Sequence, residues 1–315
     1  MTATRVDSTT LDGRALAAPK APASAADRRR VQALTRFAVS ITVFNIVGHA
    51  FLGFEQAPIT PVVAALTSYA AALAFESLDA WAYRRRPEFA KGRRSFVVFL
   101  LPAHITGLAT GMLMWGNSSL WPYIFAIVVG NGSKYVLRLR VRGRLRHVLN
   151  PSNTGISVAL LLFPWVGIAP PYHFTSFTTG AIDWLLPLAV LGAGTMINAK
   201  LTGRMPLILG WLGAFVAQAV LRWLLLDHNL IGALGPMTGL AFILFTNYMI
   251  TDPATTPPAW RDQVFFGVTT GVVYGILVVS GVSFGLFFAL VITCVLRGLI
   301  QLVVNVARGP QGAIP

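Results

Sequence analysis

Between residues 37 and 304 the chain alternates ten apolar stretches with short polar loops, and nowhere leaves enough polar sequence to build a water-soluble domain. A helix rising 1.5 Å per residue needs roughly 20 apolar residues to cross a hydrocarbon core of about 30 Å. On that measure the spans fall at residues 37–54, 59–83, 96–115, 119–135, 154–169, 181–198, 206–225, 230–250, 264–281 and 284–304. The fourth and fifth are the shortest. The expected fold is an all-α, polytopic membrane bundle of about ten helices occupying residues 37–305. It is flanked by a basic disordered tail over 1–36 and a short tail over 306–315.

Charge placement orients this bundle. Hydrophobic residues make up 55% of the chain and charged ones 11%, yet the net charge is +14, so the cations must be concentrated somewhere. Seven of the 25 Lys and Arg residues precede the first span, six lie between Arg84 and Arg94, and six lie between Lys134 and Arg146. Lys200, Arg204, Arg261 and Arg308 fall on the same side of an even-numbered path, leaving only Arg222 and Arg297 outside the set. This is the positive-inside pattern with both termini cytoplasmic, expected of a multi-pass protein of the cell's inner (plasma) membrane with lipid as its surroundings. Nucleic acid is not an expected partner, because the basic loops are short and carry no reader fold. The single cysteine, Cys294, excludes an internal disulfide and a four-cysteine iron–sulfur cluster made by this chain alone. No metal site is expected.

Two loops break the hydrophobic monotony in a similar way. Asn150-Pro151-Ser152-Asn153-Thr154 opens the fifth span, and Asp252-Pro253-Ala254-Thr255-Thr256 lies before the ninth. Proline restricts the chain at such an entrance, and Ser, Asn or Thr accepts hydrogen bonds from the helix's unpaired N–H groups. The same entrance presents the positive end of a helix dipole, which can hold a polar or anionic part of a ligand. Capping alone explains each loop; a binding role requires that the two meet in space. The candidate binding residues are Asn150, Ser152, Asn153, Thr154, Asp252, Thr255 and Thr256, and no catalytic acid or base stands out.

These two segments also carry a resemblance. The run from His147 to Gly155, followed by apolar sequence ending in Phe163-Pro164, is similar to the Asn-Pro segment of the NqrB/RnfD family of membrane electron-transport subunits. The run Tyr248-Met249-Ile250-Thr251-Asp252-Pro253-Ala254-Thr255-Thr256-Pro257 resembles that family's Met-Ala-Thr-Asp-Pro-Val-Ser/Thr-Ser/Ala-Pro motif. Hydropathy and loop placement extend the likeness over about residues 95–305. Within the family, the Arg-rich loops and compact length look most like the RnfD-like (UnbU-like) membrane proteins of enediyne biosynthetic gene clusters. The resemblance implies a ten-helix bundle that relays electrons through flavin, with redox partner proteins or subunits. Bundles of this kind also resemble urea and ammonium transporters, so fold alone does not fix activity.

One departure bears on the cofactor. The family links FMN through a phosphoester to the Thr of a Ser-Gly-Ala-Thr-like motif, whereas the nearest counterpart here is Thr179-Gly180-Ala181-Ile182. Ile182 has no hydroxyl to form that bond, although Thr178 or Thr179 would serve in a shifted register. The expectation is therefore a noncovalent flavin (riboflavin or FMN) or a quinone rather than covalent FMN. A transporter or channel for a small molecule or biosynthetic product is the alternative, with possible helix breaks at Pro102, Pro187 and Pro236. An assembly scaffold is a third.

Remaining features have structural explanations beside functional ones. Glu76 and Asp79 share a helix face and mark either a cation path or pairing with Arg84, Arg85 and Arg86. His49 and His104 would be haem ligands or hydrogen-bonded bundle residues. The glycine pairs Gly107/Gly111, Gly235/Gly239 and Gly281/Gly285, and the series Gly267/Gly271/Gly275, predict close helix contacts. Most of the eight tryptophans suit an interfacial belt.

Overall fold

The computed structural model describes residues 25–307 apart from 142–143, 171–173 and 176. Its helices are α1 (Ala25–Ala50), α2 (Thr60–Ala82), α3 (Arg93–Leu113), α4 (Trp121–Val136), α5 (Pro151–Leu162), α6 (Ala181–Ile197), α7 (Met205–Leu226), α8 (Leu230–Leu234), α9 (Leu240–Leu244), α10 (Trp260–Val279) and α11 (Gly285–Ala307). Among the described residues, seven are long and apolar enough to cross a membrane. The segments Leu230–Thr238 and Leu240–Met249 meet at 66° and make an eighth if taken as one broken span. The protein is a membrane-embedded helical bundle.

Helical segments lie at all ten expected positions, but two are too short to cross alone. At 1.5 Å per residue α4 spans about 24 Å and α5 about 18 Å. The stretch expected to run over 154–169 leaves the helix at Phe163 because Pro164 follows, and the residue before a proline avoids the helical region. The chain then forms β4 (Gly167–Ile168), which pairs antiparallel with β1 (Met114–Trp115) at the end of α3. The Arg-rich loop after α4 is a hairpin of β2 (Arg138–Val141) and β3 (Arg144–His147). Residues 25–36, expected to belong to the basic tail, are helical as part of α1, while the rest of that tail, residues 1–24, and residues 308–315 lie outside the described part. Pro102 and Pro187 sit inside continuous helices; Pro236 lies at the bend between α8 and α9.

Helices meet through small residues. A Cβ at Gly155 would lie 2.0 Å from the Ala126 carbonyl oxygen, and one at Gly267 would lie 2.3 Å from that of Leu207, so α4 packs on α5 and α7 on α10 with backbones in contact. Gly107 is pressed against Ala64 of α2 in the same way, whereas Gly235 and Gly281 have open space around them. Trp211 departs from the belt: it is fully buried in a cluster with Phe215, Phe242, Phe245 and Tyr274, and its indole N–H donates to Thr246 Oγ1 at 3.0 Å. Trp81, Trp121, Trp165, Trp184, Trp223 and Trp260 are exposed on the bundle surface.

Candidate functional site at the joined helix entrances

Asn150 leaves β3 in an extended conformation and caps α5. Its Oδ1 accepts from the Asn153 N–H (3.2 Å) and the Ser152 hydroxyl (3.0 Å), and Pro151 supplies the first helical residue, where a missing N–H costs nothing. The Thr154 hydroxyl donates to the Asn150 carbonyl at 2.6 Å. Two further bonds reach across the bundle. Asn150 Nδ2 donates to the Met249 carbonyl (3.0 Å), three residues before Asp252, and Asn153 Nδ2 donates to the Phe287 carbonyl of α11 (2.9 Å). The first motif is thus fastened to the chain that leads into the second.

The second motif closes on itself. Asp252 Oδ1 accepts from the Ala254 N–H (3.1 Å), Oδ2 accepts from the Thr255 hydroxyl (3.0 Å), and its carbonyl accepts from the Thr256 hydroxyl (2.6 Å). It is a self-contained Asx turn and not the cap of a helix, since α10 starts only at Trp260 with Ala259 at its cap. Two arginines hold the turn by its outward-facing carbonyls. Arg204, at the start of α7, donates to Pro257 and to Pro253 (3.4 Å), and Arg297, on α11, donates to Thr255. Neither was a sequence candidate. Basic residues at helix flanks read as orientation signals, and Arg297 stood apart only as a cation out of pattern.

The charge balance of this region is lopsided. Lys134, His147 and Arg204 all lie within electrostatic reach of Asp252, while Arg297, beside Arg146, lies within reach of Asp262. Burial lowers the His147 pKa below its ordinary value against the pull of Asp252, favouring a neutral ring. Burial likewise pushes Arg204 down to about 10, with Arg297 and Arg146 adding repulsion; it remains charged at neutral pH. The region has more positive charge than the chain itself neutralises.

The seven side chains singled out from sequence do not fit a ring cofactor between them. Asn150, Ser152, Asn153, Thr154, Thr255 and Thr256 are buried, and their hydrogen bonds are spent mainly on nearby backbone and on one another. A cavity where the hairpin, the Asp252 turn and α11 meet, lined by Arg146, His147, Ala254, Arg297 and Gln301, measures about 20 Å³. That holds one water, while drug-sized ligands occupy roughly 300 Å³ or more. Two buried polar atoms here lack a partner, Asn153 Oδ1 and Arg204 Nε.

Interrupted helices surround the site. The α-helical ladder gives way to single π turns at Asn198–Thr202 and Phe245–Met249. The Asn198 amide donates to the Asn247 carbonyl (2.7 Å) and to the Gly194 carbonyl (2.9 Å), satisfying groups that the wider turns release. Both asparagines are buried.

The other candidates resolve individually. Glu76 and Asp79 are paired: Arg85 bridges both at 2.6 and 2.5 Å, Arg138 of β2 binds Asp79, and the Glu88 N–H donates to Glu76 (2.8 Å). The two carboxylates and their hydrogen bonds hold Arg85 more firmly protonated than usual. His104 has both ring nitrogens engaged, by Thr42 Oγ1 (2.7 Å) and Tyr69 OH (2.5 Å), which leaves no nitrogen for a haem iron. Ile182 lies exposed in the first turn of α6; the Thr178 hydroxyl is engaged by Asp183, and Thr179 is exposed.

Scanned against models of protein families, the sequence matches none, and a search of the curated proteins finds no match. The likeness to NqrB and RnfD therefore rests on the two motifs together with hydropathy and loop placement.

Proposed function

We infer that this chain is a multi-pass protein of the plasma membrane, with ten crossings and cytoplasmic termini, that relays electrons in the NqrB/RnfD manner using an anionic, noncovalently held cofactor. The observation that supports this reading is the excess of cations (Lys134, Arg146, Arg204 and Arg297) over the carboxylates Asp252 and Asp262 at the place where both family-like motifs are fastened together. A phosphate-bearing flavin suits that balance; riboflavin and a quinone bring no charge to answer it. When bound, such a flavin would supply the electron chemistry, and partner proteins its donor and acceptor. The chain's own part is narrower. Asn150 and Asn153 pin the two entrances, Arg204 and Arg297 hold the turn, and the cations set a field that draws an anion to the mouth.

A visible spectrum of protein purified in mild detergent tests this. The expected result is a flavin band that is released on denaturation, with no fluorescent band on a denaturing gel because Ile182 stands where the hydroxyl would be. Arg204→Gln should lower retained flavin about tenfold, a loss of roughly 1.4 kcal/mol, because it removes one positive charge from the field at the mouth and loosens the turn that Arg204 holds. A colourless preparation that carries solute across vesicles would instead support a transporter. That second reading is favoured by the interrupted helices, since irregular backbone at membrane depth persists where it is buried or lines a pathway.

Topology has its own test. Cys294 is buried and unreactive background, so single engineered cysteines report cleanly. With a membrane-impermeant maleimide on intact cells, Thr179→Cys is expected to label and Lys91→Cys to label only after permeabilisation. The reverse pattern would invert the proposed orientation.

A further inference from the structure

Arg222 lies eighteen residues beyond Arg204, so about 27 Å away along α7, at the opposite end of the bundle from the joined entrances. Its side chain is 9% exposed, and neither Nε nor Nη1 has a hydrogen-bond partner. Among the described residues no carboxylate pairs with it. One turn earlier Gln218, 8% exposed, donates Nε2 to the Phe215 carbonyl (2.8 Å) and leaves Oε1 without a partner. That oxygen lies where α10 has only Gly275: a Cβ there would come within 3.5 Å of it. Tyr274, adjacent on α10, stacks on Phe215 at 5.1 Å and lies within electrostatic reach of Arg222. Leu221, Trp223, Leu224 and Leu225 around it are exposed and apolar, as at a lipid boundary.

A guanidinium taken out of water with no counter-charge is strongly unfavourable, and the proximity of the α7 C-terminus offsets only a small part of that cost. A buried donor and a buried acceptor one turn apart, both unsatisfied, ask for a group that has both an anionic oxygen and a hydroxyl. We propose that Arg222 and Gln218 form a binding site for a phosphate-type oxyanion bearing a neighbouring hydroxyl. The anion lies against Arg222 and the hydroxyl donates to Gln218 Oε1. This chemistry belongs both to an anionic phospholipid headgroup and to a soluble phosphate ester.

Thermal unfolding of the full chain in neutral detergent tests the site, with phosphatidylglycerol, phosphatidylcholine or glycerol 3-phosphate added. Wild type should gain several degrees with phosphatidylglycerol or glycerol 3-phosphate and none with phosphatidylcholine. A shift with the lipid alone identifies a headgroup site, and one with the ester alone identifies a soluble ligand. Arg222→Met should unfold at a higher temperature than wild type without additive, because an uncompensated charge is gone, and should lose the anion-dependent gain. Gln218→Leu keeps the charge and should need at least tenfold more anion for the same gain. Native mass spectrometry of wild type, which involves no substitution, should show the bound anion. No anion-dependent gain in wild type, or an equal gain in Arg222→Met, would overturn the proposal.

Discussion

Asp79→Ala is expected to destabilise the folded protein by about 2–3 kcal/mol, among the largest effects of any single polar substitution in the chain. Removing one partner of a wholly buried ion pair costs about 3–5 kcal/mol, since it strands the opposite charge. Asp79 is 9% exposed and holds two guanidinium groups, those of Arg85 and Arg138, which ties the end of α2 to the β2–β3 hairpin. Both arginine side chains keep some access to water, at 33% and 21% exposure, so part of their charge is screened once the carboxylate is lost. Glu76 still engages Arg85, which leaves Arg138 as the group most affected. Denaturant unfolding in detergent would measure the loss. The double variant Asp79→Ala/Arg138→Ala should be less destabilised than the sum of the singles by about 1 kcal/mol. A loss under about 0.5 kcal/mol for Asp79→Ala would mean that the cluster is a solvated surface network.

Gly155→Ala should be at least as damaging, at roughly 3 kcal/mol, even though alanine is the better helix former by about 1 kcal/mol. The added methyl would sit 2.0 Å from the Ala126 carbonyl oxygen and 2.8 Å from its carbon, both backbone atoms with no rotamer to yield. The two helices would have to part, opening the buried bonds of Asn150 and Asn153 beyond them. Gly192→Ala is the control: it lies in α6 with nothing within 4 Å of the added carbon, and should be neutral or slightly stabilising. Equal thermal stability of the two variants would show that the α4–α5 contact has slack.

Apolar length and flanking charge made α1, α2, α3, α6, α7, α10 and α11 legible, because a helix in hydrocarbon must satisfy its own backbone and therefore advertises itself as an uninterrupted run. What stayed hidden depended on local or distant geometry. The stop of α5 at Phe163 was signalled by Pro164, but continuing apolar residues masked it. The β2–β3 hairpin was signalled by alternation in Arg138-Leu139-Arg140-Val141, a period of two that a count of cations overlooks. Asn150 and Met249 are 99 residues apart, so their bond could be anticipated only as a condition on the two loops meeting. Arg204 and Arg297 bind carbonyl groups, which every residue possesses, and no side-chain pattern announces such a partner. For the same reason sequence alone did not show that the seven candidate residues also bond to nearby backbone and to one another.

The shortness of α4 and α5 bears on how the protein is made. A helix that enters the bilayer on its own must be apolar over the full thickness, and neither of these is: together they carry Asn131, Lys134, Asn153 and Thr154 on about 24 and 18 Å of helix. Beyond bonds within the pair itself, Asn131 reaches Ser68 on α2, made earlier, while Asn150 at the α5 cap and Asn153 reach Met249 before α10 and Phe287 on α11, made much later. The expected order of biogenesis has α4 and α5 settle as a hairpin against helices already in place. The pair is completed only when the last helix arrives, so a nascent chain stopped short of α11 holds an unfinished centre whatever the quality of its first half.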